Sequence, residues 1–424
     1  MKYIDMSAAE LQAELLNIDA AYGEFKAKGL KLDMSRGKPA TNQLDLSNDL
    51  LNILQPDDIK SQAGLDTRNY APADGLSECR ALFAQLFEVP AGQVIAGGNS
   101  SLKMMFDIIS AGMTHGYGFG PWAAVPGGIK FLCPSPGYDR HFAVTEYFGV
   151  QNIAVTMTAE GPDMEEVRRL CENDPSVKGI WCVPKYSNPQ GITYSKATVE
   201  AFVALKPAAP DFKIMWDNSY IVHDLTDTPD ELYNIFDATR AAGTEDRVFS
   251  FASTSKITFA GAGVAALAAS LEMIKLIKKR LVIESIGPDK INQLRHTRFL
   301  PDATAVKKQM KCQAEIIAPK FDLVLETLER ELGALGILSW TTPNGGYFIS
   351  VDTMPGCAKR VVELCAEAGA VLTGAGATYP YGKDPNDSNI RIAPTVPPMD
   401  ELKIAAELFA VAVKKASLEK LMGC

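Results

Sequence analysis

Five short apolar runs in this chain are each followed, within a few residues, by side chains able to do chemistry. QVIA (93–96) runs into GGNSS (97–101), which offers glycines for close backbone approach, hydroxyls and the start of a helical stretch. That combination suits an anion such as phosphate. IKFLC (129–133) leads to PSPGYDR and the aromatic ring of Tyr138, and KGIWCV (178–183) leads to PKYSNPQG and the amide of Asn188. KIMWD (213–217) ends on Asp217 with Tyr220 three residues on, and RVFSF (247–251) runs into ASTSK and the amine of Lys256. Each feature has a plainer reading alone. GGNSS could cap a helix, Asp217 could cap a turn, Lys256 could be a solvated lysine, and SNPQG is a good turn. Their coincidence is the signal, because open α/β sheets bind ligands beyond the carboxyl ends of their strands.

The elements that must hold these groups are legible from periodicity. Seven short runs, the five above with NIAVTM (152–157) and AGVAALA (262–268), alternate with helical stretches near 101–111, 139–147, 163–173, 195–206, 230–242 and 272–284. This predicts an α/β fold with a mainly parallel seven-stranded sheet flanked by helices. The last two runs are too close for a helical crossover and should pair antiparallel. Further helices are expected over 7–28, where Leu11, Leu15, Ile18 and Tyr22 share a face, and over 76–87, 302–332 and 399–421. Strand candidates GYFISV (346–351), AVLT (370–373) and NIRIA (389–393) suggest a smaller α/β unit built from both termini. The expected division is 1–45, joining that small unit, 46–309 as the large unit, and 310–424 as the C-terminal small unit.

Composition narrows the function classes. With 424 residues, 47% hydrophobic and 22% charged, the chain has material for two or three domains and is not a solvated, disordered polymer. Its net charge of −9 argues against a broad nucleic-acid surface. No apolar run reaches the roughly 20 residues of a membrane span. The N-terminal MKYIDMSAAELQAELL lacks a secretory apolar core, so a cytoplasmic protein is expected. The eight cysteines contain no CxxC pair and read as buried, reduced thiols; the four histidines show no ligand spacing, so no metal is expected.

A phosphate cradle, an aromatic plate, an amide, a carboxylate and an amine on one sheet edge are what pyridoxal 5'-phosphate requires. With these residues in view, the chain resembles the fold-type-I pyridoxal-phosphate aminotransferases, the aspartate aminotransferase superfamily. SNPQG (187–191), DNSY (217–220), STSK (253–256) and the arginine of IRIAP carry the resemblance, which runs from RGKP (36–39) to NIRIAP (389–394). It implies that Lys256 is the Schiff-base lysine, that Asp217 partners the pyridine nitrogen, and that Tyr220 and Asn188 bond the ring oxygen. By the same resemblance Tyr138 stacks on the ring. Gly98, Asn99 and Ser100 form one phosphate turn, and Ser253 with Ser255 the other. Arg391 would clamp the substrate α-carboxylate, and Gly37 would lie in a loop covering the substrate. Tyr70 would reach the phosphate of a neighbouring subunit, which implies a homodimer with shared sites.

One departure from the family pattern stands out. Its phosphate-binding arginine would fall at Val264, so another cation is needed, and Lys290, from the same chain or from the other subunit, is the candidate, opposed by its reading as a surface lysine. This points to a divergent branch, near the chains described as aspartate or MocR-like aminotransferases. A side-chain carboxylate would need a second cation, from Arg36, Arg295 or Arg298. The expected reaction is transfer of an amino group from an L-amino acid, aspartate first, to a 2-oxo acid, 2-oxoglutarate first. The alternatives are a lyase or decarboxylase on the same fold, or another amino acid as substrate. A MocR-type regulator is disfavoured because about 90 residues precede the first strand. A nicotinamide enzyme is disfavoured because GYGFG (116–120) follows a helical stretch rather than a strand; it reads as a flexible loop near the cofactor.

Overall fold

The computed structural model describes residues 2–70 and 72–423. All seven anticipated strands form and share one sheet. In spatial order they are Val94–Ala96, Ala265–Ala269, Val248–Ser253, Lys213–Asp217, Val177–Cys182, Lys130–Ser135 and Gln151–Thr158. An eighth, Gly161–Pro162, folds back antiparallel on the outer edge. The inner strands run parallel, and Ala265–Ala269 is antiparallel to both neighbours, as the short connection requires.

Alternation of side chains across the pleat explains why these strands read as unbroken apolar runs. Leu132, Ile180, Ile214, Trp216 and Val248 pack into the core on one face. Phe131, Trp181, Met215, Phe249 and Phe251 pack into the core on the other. The inner strands are packed on both faces, and polar exceptions such as Lys178 and Lys213 are buried and bonded to Asp211 and to the Asp246 carbonyl. Strand Gln151–Thr158, near the edge, is partly exposed. The sheet is therefore a rigid platform, and its strand ends are fixed points.

A third core gathers Leu11, Ile18 and Tyr22 with Phe321, Leu328, Ile349, Val361 and Phe409, drawn from both ends of the chain. Helix Ala8–Ala27 begins on a capping box in which Ser7 and Glu10 satisfy each other's backbone. Helix Ala303–Leu332 places Val306 and Met310 in the sheet core and Phe321 and Leu328 in this third core, tying the two together. A three-stranded sheet, Leu338–Trp340, Ile349–Thr353 and Asn389–Ile392, completes it, with Leu32–Asp33 pairing separately to Ala370–Val371.

Periodicity missed several elements. Residues 230–234 are irregular, with the helix confined to Ile235–Ala242. Helices Lys290–Phe299 and Ala358–Glu367 and strand Leu338–Trp340 were not anticipated. The first is polar in sequence yet buried. Its Gln293 donates to the carbonyls of Ala96 and Gly97, Asn292 donates to that of Gly263, and His296 meets Thr258. Of the seven described cysteines none is paired and six are buried; Cys424 lies outside the described residues.

Candidate active site

A cavity of about 840 Å³ opens between the carboxyl ends of the central strands, the segment 35–38 and strand Asn389–Ile392. Its wall carries Asn99, Ser100, Tyr138, Asn188, Asp217, Tyr220, Ser253, Ser255, Lys256 and Arg391, together with Arg36 and Gly37. Gly98 lies just behind, its carbonyl accepting from the Ala265 amide at 2.7 Å. Tyr70 is 71% exposed and lies off the cavity of its own chain.

Asp217, the last residue of its strand, is buried and held from two sides. Its Oδ2 lies 2.9 Å from His141 Nε2, and its Oδ1 accepts from Ser219 Oγ at 2.5 Å and from the Ser219 amide at 3.2 Å. A carboxylate only accepts, so His141 carries its proton on Nε2. The His141 ring lies flat on Trp181, with centroids 4.5 Å apart, and meets Tyr138 edge-on. The sequence reading set all four histidines aside. The available signal was spacing: His141 follows Tyr138 by three residues, about one helical turn.

Lys256 has no hydrogen-bond partner among the described residues, and its Nζ sits 5.1 Å from the centroid of the Tyr220 ring. Other covered lysines differ. Lys178 pairs with Asp211 at 2.6 Å, Lys185 with Asp224 at 2.8 Å, and Lys320 donates to the Thr395 carbonyl at 2.6 Å. Burial pushes the Lys256 pKa down, and the charge of Asp217 opposes it. An unpaired amine biased toward its neutral form is suited to act as nucleophile and base.

Burial pushes the Tyr220 pKa well up, with Tyr138 and Asp217 adding to it, so the phenol keeps its proton and donates. Asn188 Oδ1 accepts from Arg391 Nη1 at 3.1 Å, which fixes the amide and leaves its NH₂ unpartnered among the described residues. Arg391 Nη1 also pairs with Asp139 Oδ1 at 3.0 Å, and Nη2 donates to Thr373 Oγ1 at 3.4 Å. The guanidinium lies 4.8 Å from the centroid of the Phe348 ring, and its buried Nε has no partner. Glycine at position 37 lets the Phe348 ring lie against the guanidinium, because a Cβ there would run into that ring. The result is a planar guanidinium locked in place on the cavity wall, with one Nη2 N–H unused among the described residues.

GGNSS and STSK form one cradle. Asn99 Nδ2 donates to the Gly261 carbonyl at 3.2 Å, and Ser255 Oγ to the Asn99 carbonyl at 3.4 Å. Ser100 does cap helix Ser101–Thr114, as the plainer reading had it, and that cap brings the helix N-terminus to the cavity. Val264 is buried in the sheet core and adds nothing polar to the cradle. Lys290 is buried with its Nζ on the Pro288 carbonyl, away from the cavity wall. Arg298 pairs with Asp58 at 2.8 Å and Arg295 bonds Asn292, so within one chain neither reaches the cavity; Arg36 does. GYGFG is likewise away from it, with Gly116 and Tyr117 lining a separate apolar groove beside Leu276 and Ile277.

This chemistry agrees with comparison to known proteins. A family model described as aspartate amino-transferase matches residues 6–424. The chain belongs to the aspartate aminotransferase family. An aspartate aminotransferase of Corynebacterium glutamicum is 45% identical over 428 residues, covering 99% of each chain. The crystal structure of an aspartate transaminase from that organism superposes with a TM-score of 0.97 at 44% identity, again over 99% of each chain. The fold extends to a Thermus thermophilus α-aminoadipate aminotransferase at 17% identity (TM-score 0.74, covering 98% of this chain and all of that one), solved with N-(5'-phosphopyridoxyl)-L-leucine. The family is pyridoxal-phosphate-dependent, and this member is an aminotransferase. No helix among the described residues is long and apolar enough to cross a membrane.

Proposed function

We propose that this enzyme moves the amino group of L-aspartate to 2-oxoglutarate, using pyridoxal 5'-phosphate held in the cavity described above. The observation that carries the reading is an unpartnered amine, Lys256, sharing that cavity with a buried carboxylate anchored by His141. The donor set fits the coenzyme. Lys256 suits its aldehyde, Asp217 its ring nitrogen, Tyr220 and Asn188 its ring oxygen, and Tyr138 one ring face. The hydroxyl and amide cradle of Asn99, Ser100, Ser253 and Ser255 suits its phosphate. When bound, the coenzyme supplies an aldehyde and a ring that accepts electrons.

The residues then divide the work. Arg391 binds the α-carboxylate and so would fix which bond at the α-carbon is presented to the coenzyme. Lys256 takes the α-proton, and burial, which pushes its pKa down, favours the neutral amine that this needs. Asp217 keeps the ring nitrogen protonated by its negative charge, and His141 and Ser219 keep Asp217 in place. Aspartate is favoured by the name of the Corynebacterium relative and by cations on the cavity wall beyond Lys256 and Arg391.

We further propose a cytoplasmic homodimer whose Tyr70 completes the partner's phosphate site. Tyr70 is exposed, and so are Leu276, Val282, Ile283 and Ile286 on or just after helix Leu271–Glu284, a grouping that suits a second copy better than water. Adding aspartate alone to the holoenzyme tests the reaction. The coenzyme should become aminated and return on addition of 2-oxoglutarate, followed by absorbance. Release of CO₂ with the coenzyme unaminated would point to a decarboxylase instead.

A further inference from the structure

We propose that Arg140 is the residue that selects substrates carrying a second carboxylate; this rests on the aspartate reading above. Arg140 lines the same cavity as Lys256 and Arg391, is exposed, and has no ion pair or hydrogen bond among the described residues. It is the second residue of helix Asp139–Tyr147, where the positive end of the helix dipole disfavours a cation. The acid beside it, Asp139, gives no relief, because its Oδ1 is engaged with Arg391. A cation kept in the first turn of a helix, unpaired and facing a cavity, breaks a local rule without local compensation, which is the mark of a functional position.

Its placement suits the role. Tyr138, the residue before Asp139, has its hydroxyl pKa raised to about 12 by burial, with Arg391 and Arg140 both pulling the other way. Both arginines share the cavity wall with Tyr138, Arg391 buried and Arg140 exposed. Arg36 and Lys38 also line the cavity, but they belong to an irregular segment and lie near Asp33, whose carboxyl they help hold low. Arg140 stands on a helix that follows directly from the sheet, and rigid elements give the more precise site. Among the described residues the acids on the wall are Asp139 and Asp217, both already bonded, which leaves Arg140 free for an incoming carboxylate.

The test uses the holoenzyme with succinate and propionate, which differ by one carboxylate and carry no amine to react, titrated by calorimetry. Arg140→Gln should weaken succinate by roughly 10- to 100-fold, the loss of one charged hydrogen-bonding contact, and leave propionate within about threefold. Arg140→Lys should recover part of the loss, and amination of the coenzyme should slow for aspartate far more than for alanine. Equal weakening of both acids, no weakening of either, or the selective loss appearing in Arg36→Gln instead would overturn the assignment. Wild-type enzyme with no preference for succinate or aspartate would overturn the dicarboxylate reading itself, and Arg140 with it. A preference in the wild type that survives in Arg140→Gln overturns the Arg140 assignment alone.

Discussion

In the buried part of the cavity Asp217 is gripped by His141 and Ser219, and Asn188 by Arg391, while at the exposed edge Arg36, Lys38 and Arg140 have no ion-pair partner among the described residues. The inner groups stand on strand ends or bond to them, and those strands are packed on both faces. The outer groups stand on a loop and on a helix's first turn. Chemistry common to every substrate needs fixed geometry, so it belongs on the platform. Choice among substrates needs an unsatisfied charge that only the right ligand can satisfy.

Perturbing the two regions should therefore have separable effects. Lys256→Ala is expected to cost the most, about 10,000-fold or more in the half reaction with aspartate, because it removes both base and nucleophile. Stopped-flow absorbance measures it, and a thermal midpoint near wild type would show that the fold survives. Asp217→Asn should cost roughly 100- to 1,000-fold in kcat for aspartate and alanine alike, since ring electronics do not depend on the side chain. The same change sharpens the reading of Lys256. Asp217 favours the ammonium form, so its loss should lower the Lys256 pKa further. In coenzyme-free protein, amine labelling of Lys256 should then begin at lower pH; onset at higher pH would contradict the electrostatics.

Arg391→Lys should raise KM for all amino acids by about 10- to 100-fold through loss of a bidentate contact, with coenzyme affinity unchanged by equilibrium dialysis. Coenzyme loss with KM intact would move Arg391 out of the substrate site. Gly37→Ala is the mildest. It should push Phe348 off the Arg391 guanidinium and raise KM about fivefold, near the value of one cation–π contact. No change in KM would mean that the ring shifts without disturbing the fork.

The same division explains what the sequence reveals. The seven strands and the groups at their ends are legible because inner strands packed on both faces demand largely apolar runs, and Asp217 ends one of them while Lys256 lies three residues beyond another. His141 is legible only through its three-residue spacing from Tyr138, and Phe348 not at all, because their roles come from contacts across the fold, with Asp217 and Arg391. Helix Lys290–Phe299 escapes for a related reason. Its buried polar residues bond to the carbonyls of Ala96, at a strand end, and of Gly97 and Gly263, so no apolar stripe marks it. Arg298 was a sequence candidate for substrate binding, yet its partner is Asp58, 240 residues away in the chain. Arg140 went unnoticed because one arginine beside an aspartate looks like an ordinary surface pair; the structure gives that aspartate to Arg391.

Borohydride reduction of the holoenzyme, followed by proteolysis and mass spectrometry, tests the central claim most directly. The account requires a single phosphopyridoxyl adduct on the peptide containing Lys256. An adduct on another lysine such as Lys38 or Lys290, or none at all, would contradict it.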